Sequence, residues 1–284
     1  MTTAALPRPR AAVAEPGPRF RDLLAAEWIK LWSLRSTPWG LALSALAVIG
    51  LNVNAAWADY QNYPGYSEEI RTKVFVPYWS LHDAFGRNSA LILILAAGAL
   101  GAMMVVTEYA SGLIRTTFAA VPARRPVMAA KVLVMTAVTT VHGALIAGVS
   151  WWATQAVLSG RHAGISLGYH GAWQLVVASA LLCPVGALVG MAIGTLVRTS
   201  ATSVVVSVVL LVVAPVSIPV NHHWQAVLAH ALPYNAWLRL GQVNQPDWYH
   251  QTFPSTEGGA WLVLAVWALA AAAVTVLPAR RRDL

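Results

Sequence analysis

The chain has 284 residues, of which 57% are hydrophobic and only 11% charged, with a mean hydropathy of +0.58. Soluble domains run near 45–50% apolar and about 25% charged, so disorder, collagen, a small disulfide scaffold and an ordinary cytosolic enzyme are excluded. The net charge of +8 comes from basic residues scattered between apolar blocks, which argues against nucleic acid, and a single cysteine, Cys183, cannot form an internal disulfide.

Residues 1–19 are rich in Pro, Arg and Ala and read as a disordered lead with no cleavable signal peptide. Residues 20–36 read as an amphipathic helix too polar to cross a bilayer. At about 100° per residue, Phe20, Leu23, Leu24, Trp28, Leu31 and Leu34 gather on one face, with Asp22, Ala26, Lys30 and Ser33 opposite. Such a helix is expected to lie along the membrane surface with Trp28 and Trp32 among the headgroups. Glu27 projects from the apolar side. It either pairs with Lys30 one turn on or docks on a cation of another element.

Crossing a hydrocarbon core of ~30 Å takes about 20 apolar residues. Six stretches meet or approach that length, at 39–57, 90–106, 132–153, 173–197, 201–220 and 260–277. They predict an all-α, polytopic membrane domain over 37–284. Lys and Arg orient it: fourteen fall in the N-terminal segment, the second-to-third connection, Arg198 and Arg280 to Arg282, against five on the other side. The positive-inside rule then places both termini in the cytoplasm.

The connection between the second and third spans, 107–126, reads TEYASGLIRTTFAAVPARRP and is the most basic inner loop. Glu108 leaves the membrane, Gly112 permits a sharp bend, 113–121 form a short helix, and Pro122 and Pro126 bracket Arg124 and Arg125. From spacing alone two readings stand: a helix that docks a soluble partner, and a topogenic loop whose arginines touch anionic lipid. Lys131, at the inner end of the third span, is expected to snorkel and to need no partner.

His142 is the clearest ionisable residue near mid-bilayer. It reads either as part of a substrate path or as an imidazole bonded between helices, beside Thr136, Thr139 and Thr140. Gly186, Gly190 and Gly194 line one face of the fourth span and predict close packing on another helix. Kinks are expected at Pro184 and Pro215. Ser203 and Ser207 share a face of the fifth span; they either line a path at a dimer interface or bond their own i−4 carbonyls. The outer loop after it, rich in Trp224, Trp237 and Trp248, fits short capping helices. His222, His223, His230 and His250 match no standard zinc spacing, so no metal is expected.

Two segments together carry a resemblance. The AEWIKLWSLRS stretch of the N-terminal helix and the E-x3-G-x9-P-x-R-R-x5-K form of Glu108 to Lys131, EYASGLIRTTFAAVPARRPVMAAK, resemble the permease subunits of ABC-2-type transporters, especially the actinobacterial branch. The likeness runs from about Phe20 to the C-terminus and is specific only at these two segments. It implies an elbow helix and a coupling helix that seats in a cleft of a separate ATPase. Glu27, Glu108, Gly112, Pro122, Arg124 and Lys131 would then lie at the coupling surface, with Arg115 and Arg125 of the same basic loop.

The resemblance further implies a bacterial plasma-membrane exporter, built from two copies or from this chain and a sister permease. ATP and Mg would come through the partner ATPase, with no cofactor bound by this chain. The sequence itself has no G-x4-G-K-[ST] or H-E-x-x-H motif, and His142 and Ser150 lie about 12 Å apart along one helix, so catalysis is not expected. A membrane anchor or immunity protein, or a membrane-embedded enzyme using outer-loop histidines, are the alternatives.

Overall fold

A computed structural model describes residues 17–243 and 251–277. Arg8, Arg10, Trp248, His250, Arg280, Arg281 and Arg282, with most of the lead, lie outside the described residues. The described chain is helical: α1 (Phe20–Ser33), α2 (Ser36–Asn62), α3 (Glu68–Ile70), α4 (Ser80–His82), α5 (Arg87–Ala110), α6 (Leu113–Ala120), α7 (Arg124–Ser159), α8 (Ala172–Val197), α9 (Ser200–Val208), α10 (Ala214–Ser217), α11 (His223–His230), α12 (Pro233–Leu240) and α13 (Glu257–Val276). Six helical segments are long and apolar enough to cross a membrane: Ser36–Gly65, Ser80–Ala110, Arg124–Ser159, Ala172–Val197, Ser200–Ser217 and Glu257–Val276. The architecture is that of a multi-pass membrane protein.

The bundle is built around α8, which packs against α5, α7, α9, α12 and α13. Glycines set how closely. A Cβ added to Gly190 would strike the Gly98 carbonyl, and one on Gly101 would strike that of Ala187. Gly186 and Gly194 continue the contact, where a Cβ would come within 2.8 Å of Ile94 O and 2.9 Å of Ala102 O. Small residues on both helices let the backbones touch, which is how apolar helices gain dispersion energy where lipid offers no hydrophobic contrast. Gly143 of α7 does the same against Ala180 on the other side of α8.

The structure departs from the sequence reading in several places. Arg124, Arg125 and Pro126 are not loop residues but the first turn of α7, where the missing proline N–H costs no intrahelical bond. The fifth span ends at Ser217, not at 220, and contains a π-helical stretch, Val209–Val213, between α9 and α10. Pro215 follows at once; the wider turn relieves the clash its ring would make with the preceding carbonyls. The docked face of α1 is also narrower than its apolar face. Leu23, Glu27 and Leu31, four residues apart, are buried, whereas Phe20, Trp28, Trp32 and Leu34 are exposed. The i, i+4, i+8 stripe is the part buried in the bundle, with Leu24 half-buried beside it.

The end opposite α1 and α6 is closed by short pieces. Tyr63, Tyr66, Phe75 and Trp79 form an aromatic cluster around the π-helical stretch Arg71–Trp79, and the connecting segments at this end are pinned by Ser80 Oγ donating to Ala163 O at 2.8 Å. On the other side α11 and α12 cap the bundle. Trp237 Nε1 donates to Ser179 Oγ at 2.9 Å, and Asn235 Nδ2 donates to Ala229 O at the same distance.

Candidate functional site: a buried charge cluster beneath a short amphipathic helix

Glu27, Glu108 and Lys131 come from α1, α5 and α7, and the fold brings them to one point. Lys131 Nζ donates to Glu27 Oε2 at 2.5 Å and to Glu108 Oε1 at 2.8 Å. Lys30 completes the group, 2.7 Å from Glu27 Oε1 and 3.3 Å from Glu108 Oε1. The Lys131 side chain is 1% exposed, that of Glu27 2% and that of Glu108 7%, while Lys30 keeps 29%. Two carboxylates thus face two ammonium groups. Burial would lower the Lys30 pKa, but its hydrogen bond to Glu27 and the charge of Glu108 outweigh that, and the ammonium is held above its usual value.

This arrangement corrects two expectations. Lys131 does not snorkel; it is among the most buried side chains of the molecule and has two partners. Glu108 does not emerge from the bundle but ends inside it, with Oε2 buried and lacking a donor among the described residues. Desolvating such ions costs several kcal/mol each. The cluster therefore fixes α1 against α5 and α7 more than it adds net stability. Of the two readings of Glu27, the structure contains both: the Lys30 pair and the cation of another element.

Above the cluster, α5 turns into α6 through Gly112, whose φ of +73° is the left-handed conformation that glycine adopts without strain. Ile114 and Phe118, one turn apart on α6, bury themselves against Leu23 of α1 and Val127, Met128 and Ala130 of α7. The other face, with Leu113, Arg115, Thr116 and Ala119, is exposed, as are Pro122 and Arg125. Arg124 differs from its neighbour: its guanidinium stacks over the Phe118 ring at 5.2 Å and fastens α6 to α7. Arg198, in the turn between α8 and α9, lies 4.9 Å over the Tyr109 ring at this same end.

The residues read as a substrate path stand on different helices, Ser203 and Ser207 on α9 and His142 on α7. Ser203 and Ser207 are fully buried within this single chain, on the side of α9 packed on α5 and α8, so neither faces a surface open to a second copy. Ser207 Oγ donates to Ser203 O at 2.8 Å, the i−4 bond that a helix offers a hydroxyl, while Ser203 Oγ has no partner among the described residues. His142 bridges helices: its Nε2 lies 3.0 Å from Ser44 Oγ of α2. Ser44 Oγ also lies 2.9 Å from Leu41 O of its own helix. Gly186, Gly190 and Gly194 form the α5 seam.

Sequence reasoning missed a second polar tie. Asn52 Nδ2 donates to Ser150 Oγ at 3.1 Å, and Asn52 Oδ1 accepts from Ser89 Oγ at 2.6 Å. An amide within an apolar run is the one signal that pointed there. Among the described residues no group of three His, Cys, Asp or Glu is placed to hold a metal ion; His222 and His223 are exposed and His230 half-buried.

Compared with models of known protein families and with curated proteins, the chain matches none.

Proposed function

We propose that the chain is the membrane-spanning permease subunit of an ATP-driven, ABC-2-type exporter, with α1 as its elbow helix and α6 as its coupling helix. Two such subunits, or this one and a sister permease, enclose the path. A separate ATPase binds ATP and Mg and sits against the exposed face of α6 on the cytoplasmic side. The observation that carries this reading is that α6 is mounted on α1 and α7 directly over the Glu27–Lys131–Glu108 cluster. A push on α6 is then transmitted to the second and third spans as one body instead of being absorbed by a loose loop.

In this mechanism Arg115 and Arg125 meet the ATPase, whereas Glu27, Glu108 and Lys131 act behind them as the rigid mount. Arg124 and Gly112 set the angle of α6. The work of transport comes from the ATPase binding the inward- and outward-facing forms with different affinity. This chain supplies the path and the lever.

The test is affinity capture of the tagged chain from its host in mild detergent. A stoichiometric soluble subunit containing a Walker motif is expected, and it should be lost from the double variant Arg115→Glu/Arg125→Glu, both exposed positions, with insertion unchanged. An intact chain that brings down no such subunit in several detergents would overturn the proposal.

A further inference from the structure

The end of the bundle opposite α1 and α6 carries five Lys and Arg side chains among the described residues, and three of them are engaged where they stand. Lys73 pairs with Glu69 at 3.1 Å. Arg71 donates to Tyr63 O at 3.1 Å and to Pro64 O at 2.7 Å, and lies over the Tyr63 ring. Arg161 donates to Tyr60 O at 3.2 Å and lies over the Tyr60 ring. The other two, Arg87 of α5 and Arg239 of α12, line one cavity of about 210 Å³. A single water needs roughly 10–15 Å³ of such space, so this cavity has room for a small organic group.

The wall of this cavity is basic. His82 of α4 and His230 of α11 stand in it beside the two arginines, and among the described residues no Asp or Glu lines it. The Arg87 guanidinium makes no hydrogen bond or ion pair among the described residues. Arg239 Nε donates to Ser255 O at 2.5 Å, which leaves its four terminal N–H groups. Burial and the charge of Arg239 hold the His230 imidazole below its usual pKa, so it is neutral near pH 7 and offers one donor and one acceptor. Phe85, Leu175 and Trp237 supply the apolar part of the wall. Charges of one sign beside low-dielectric walls focus their field on the space between them. The planar guanidinium fork matches the oxygens of a carboxylate or phosphate.

We propose that this cavity binds one oxyanion, a carboxylate or phosphate group, with Arg87 and Arg239 as its two cationic contacts. The group belongs either to a free small molecule or to the head of an anionic phospholipid; both present the same oxygens to the guanidiniums. Binding cancels a pair of like charges that the described residues leave without a counter-ion.

The site needs only this chain, so capture of an ATPase and binding of an anion succeed or fail independently. The experiment is isothermal titration calorimetry of the whole chain, delipidated in maltoside detergent near neutral pH at constant ionic strength, with sodium phosphate and with sodium succinate. Beside it, native mass spectrometry follows the chain released from nanodiscs of equal phosphatidylglycerol and phosphatidylcholine. Saturable binding of one phosphate or succinate per chain identifies a free anion. Retention of one phosphatidylglycerol per chain, with no uptake of either free anion, identifies a lipid head. In both cases Arg87→Gln and Arg239→Gln should each weaken binding about tenfold, as the loss of a charged hydrogen bond does. Gln242→Glu, which puts a carboxylate in the wall with both arginines intact, should weaken it at least as much. Arg87 is exposed, and neither Arg87→Gln nor Gln242→Glu removes the Arg239 bond to Ser255, so the result does not depend on the fold tolerating Arg239→Gln. Lys73→Gln removes a charge at the same end, outside the cavity, and should leave binding unchanged. No saturable free anion together with equal retention of the two lipids, binding that survives Arg87→Gln or Gln242→Glu, or an equal loss in Lys73→Gln would overturn the proposal.

Discussion

Where α5 meets α8, backbones touch at Gly98, Gly101, Gly186 and Gly190; where α1 meets α5 and α7, long charged side chains fill the gap. The first joint is made by what is missing, the second by what must be present. An apolar seam of this kind fails when volume is added. A buried charge cluster fails when one member is taken away, because the remainder is left desolvated and unpaired. The molecule thus has a passive centre and, at one end, a joint whose integrity depends on charge balance.

Removing the central cation breaks the comparison most sharply. Lys131→Met should destabilise the chain by about 3–5 kcal/mol, seen as a lower thermal midpoint in detergent. Replacing the group together, Glu27→Gln, Lys131→Met and Glu108→Gln, should recover most of it. A Lys131→Met protein that melts like the wild type would show that the ion pairs do not hold the joint. Next is Gly190→Ala, whose methyl meets the Gly98 carbonyl; overpacking of this kind costs about 1–3 kcal/mol. Gly148→Ala on α7, where nothing lies within 4 Å, serves as its control and should be neutral or stabilising by up to about 1 kcal/mol. The smallest effect lies in the bond between α2 and α7. A double-mutant cycle of Ser44→Ala and His142→Phe should give a coupling near 0.6 kcal/mol, and zero coupling would remove that bond from the account.

Much of this was readable before any coordinates. The apolar runs and their polar breaks located all six long helices, since length and hydropathy are local properties of the chain. The i, i+4, i+8 spacing of Gly186, Gly190 and Gly194 announced a close contact. It did not name the partner, because Gly98 and Gly101 are three residues apart and carry no such repeat. Gly112 and the run after it gave α6 within a residue. The charge cluster was harder. Glu27 stood out on an apolar face, but its second partner lies 104 residues away, and nothing in the neighbourhood of Lys131 marks it as anything but a residue at a membrane edge. Arg124 and Arg125 were misplaced because two prolines suggest a loop, although a proline in a first helical turn displaces no bond. Ser203 and Ser207 shared a face as expected; which way that face turned was decided by packing on α5 and α8, which no spacing within α9 reveals.

The order in which the cluster's members occur along the chain has a consequence for synthesis. Glu27 and Lys30 leave the ribosome first, Glu108 follows after the second span, and Lys131 emerges only with the third. Until then two carboxylates have a single ammonium between them, and α1 has no complete seat. The joint closes when residue 131 arrives. The first three long helices, with α1 and α6, thus carry every member of the joint, and α8 follows them in the chain.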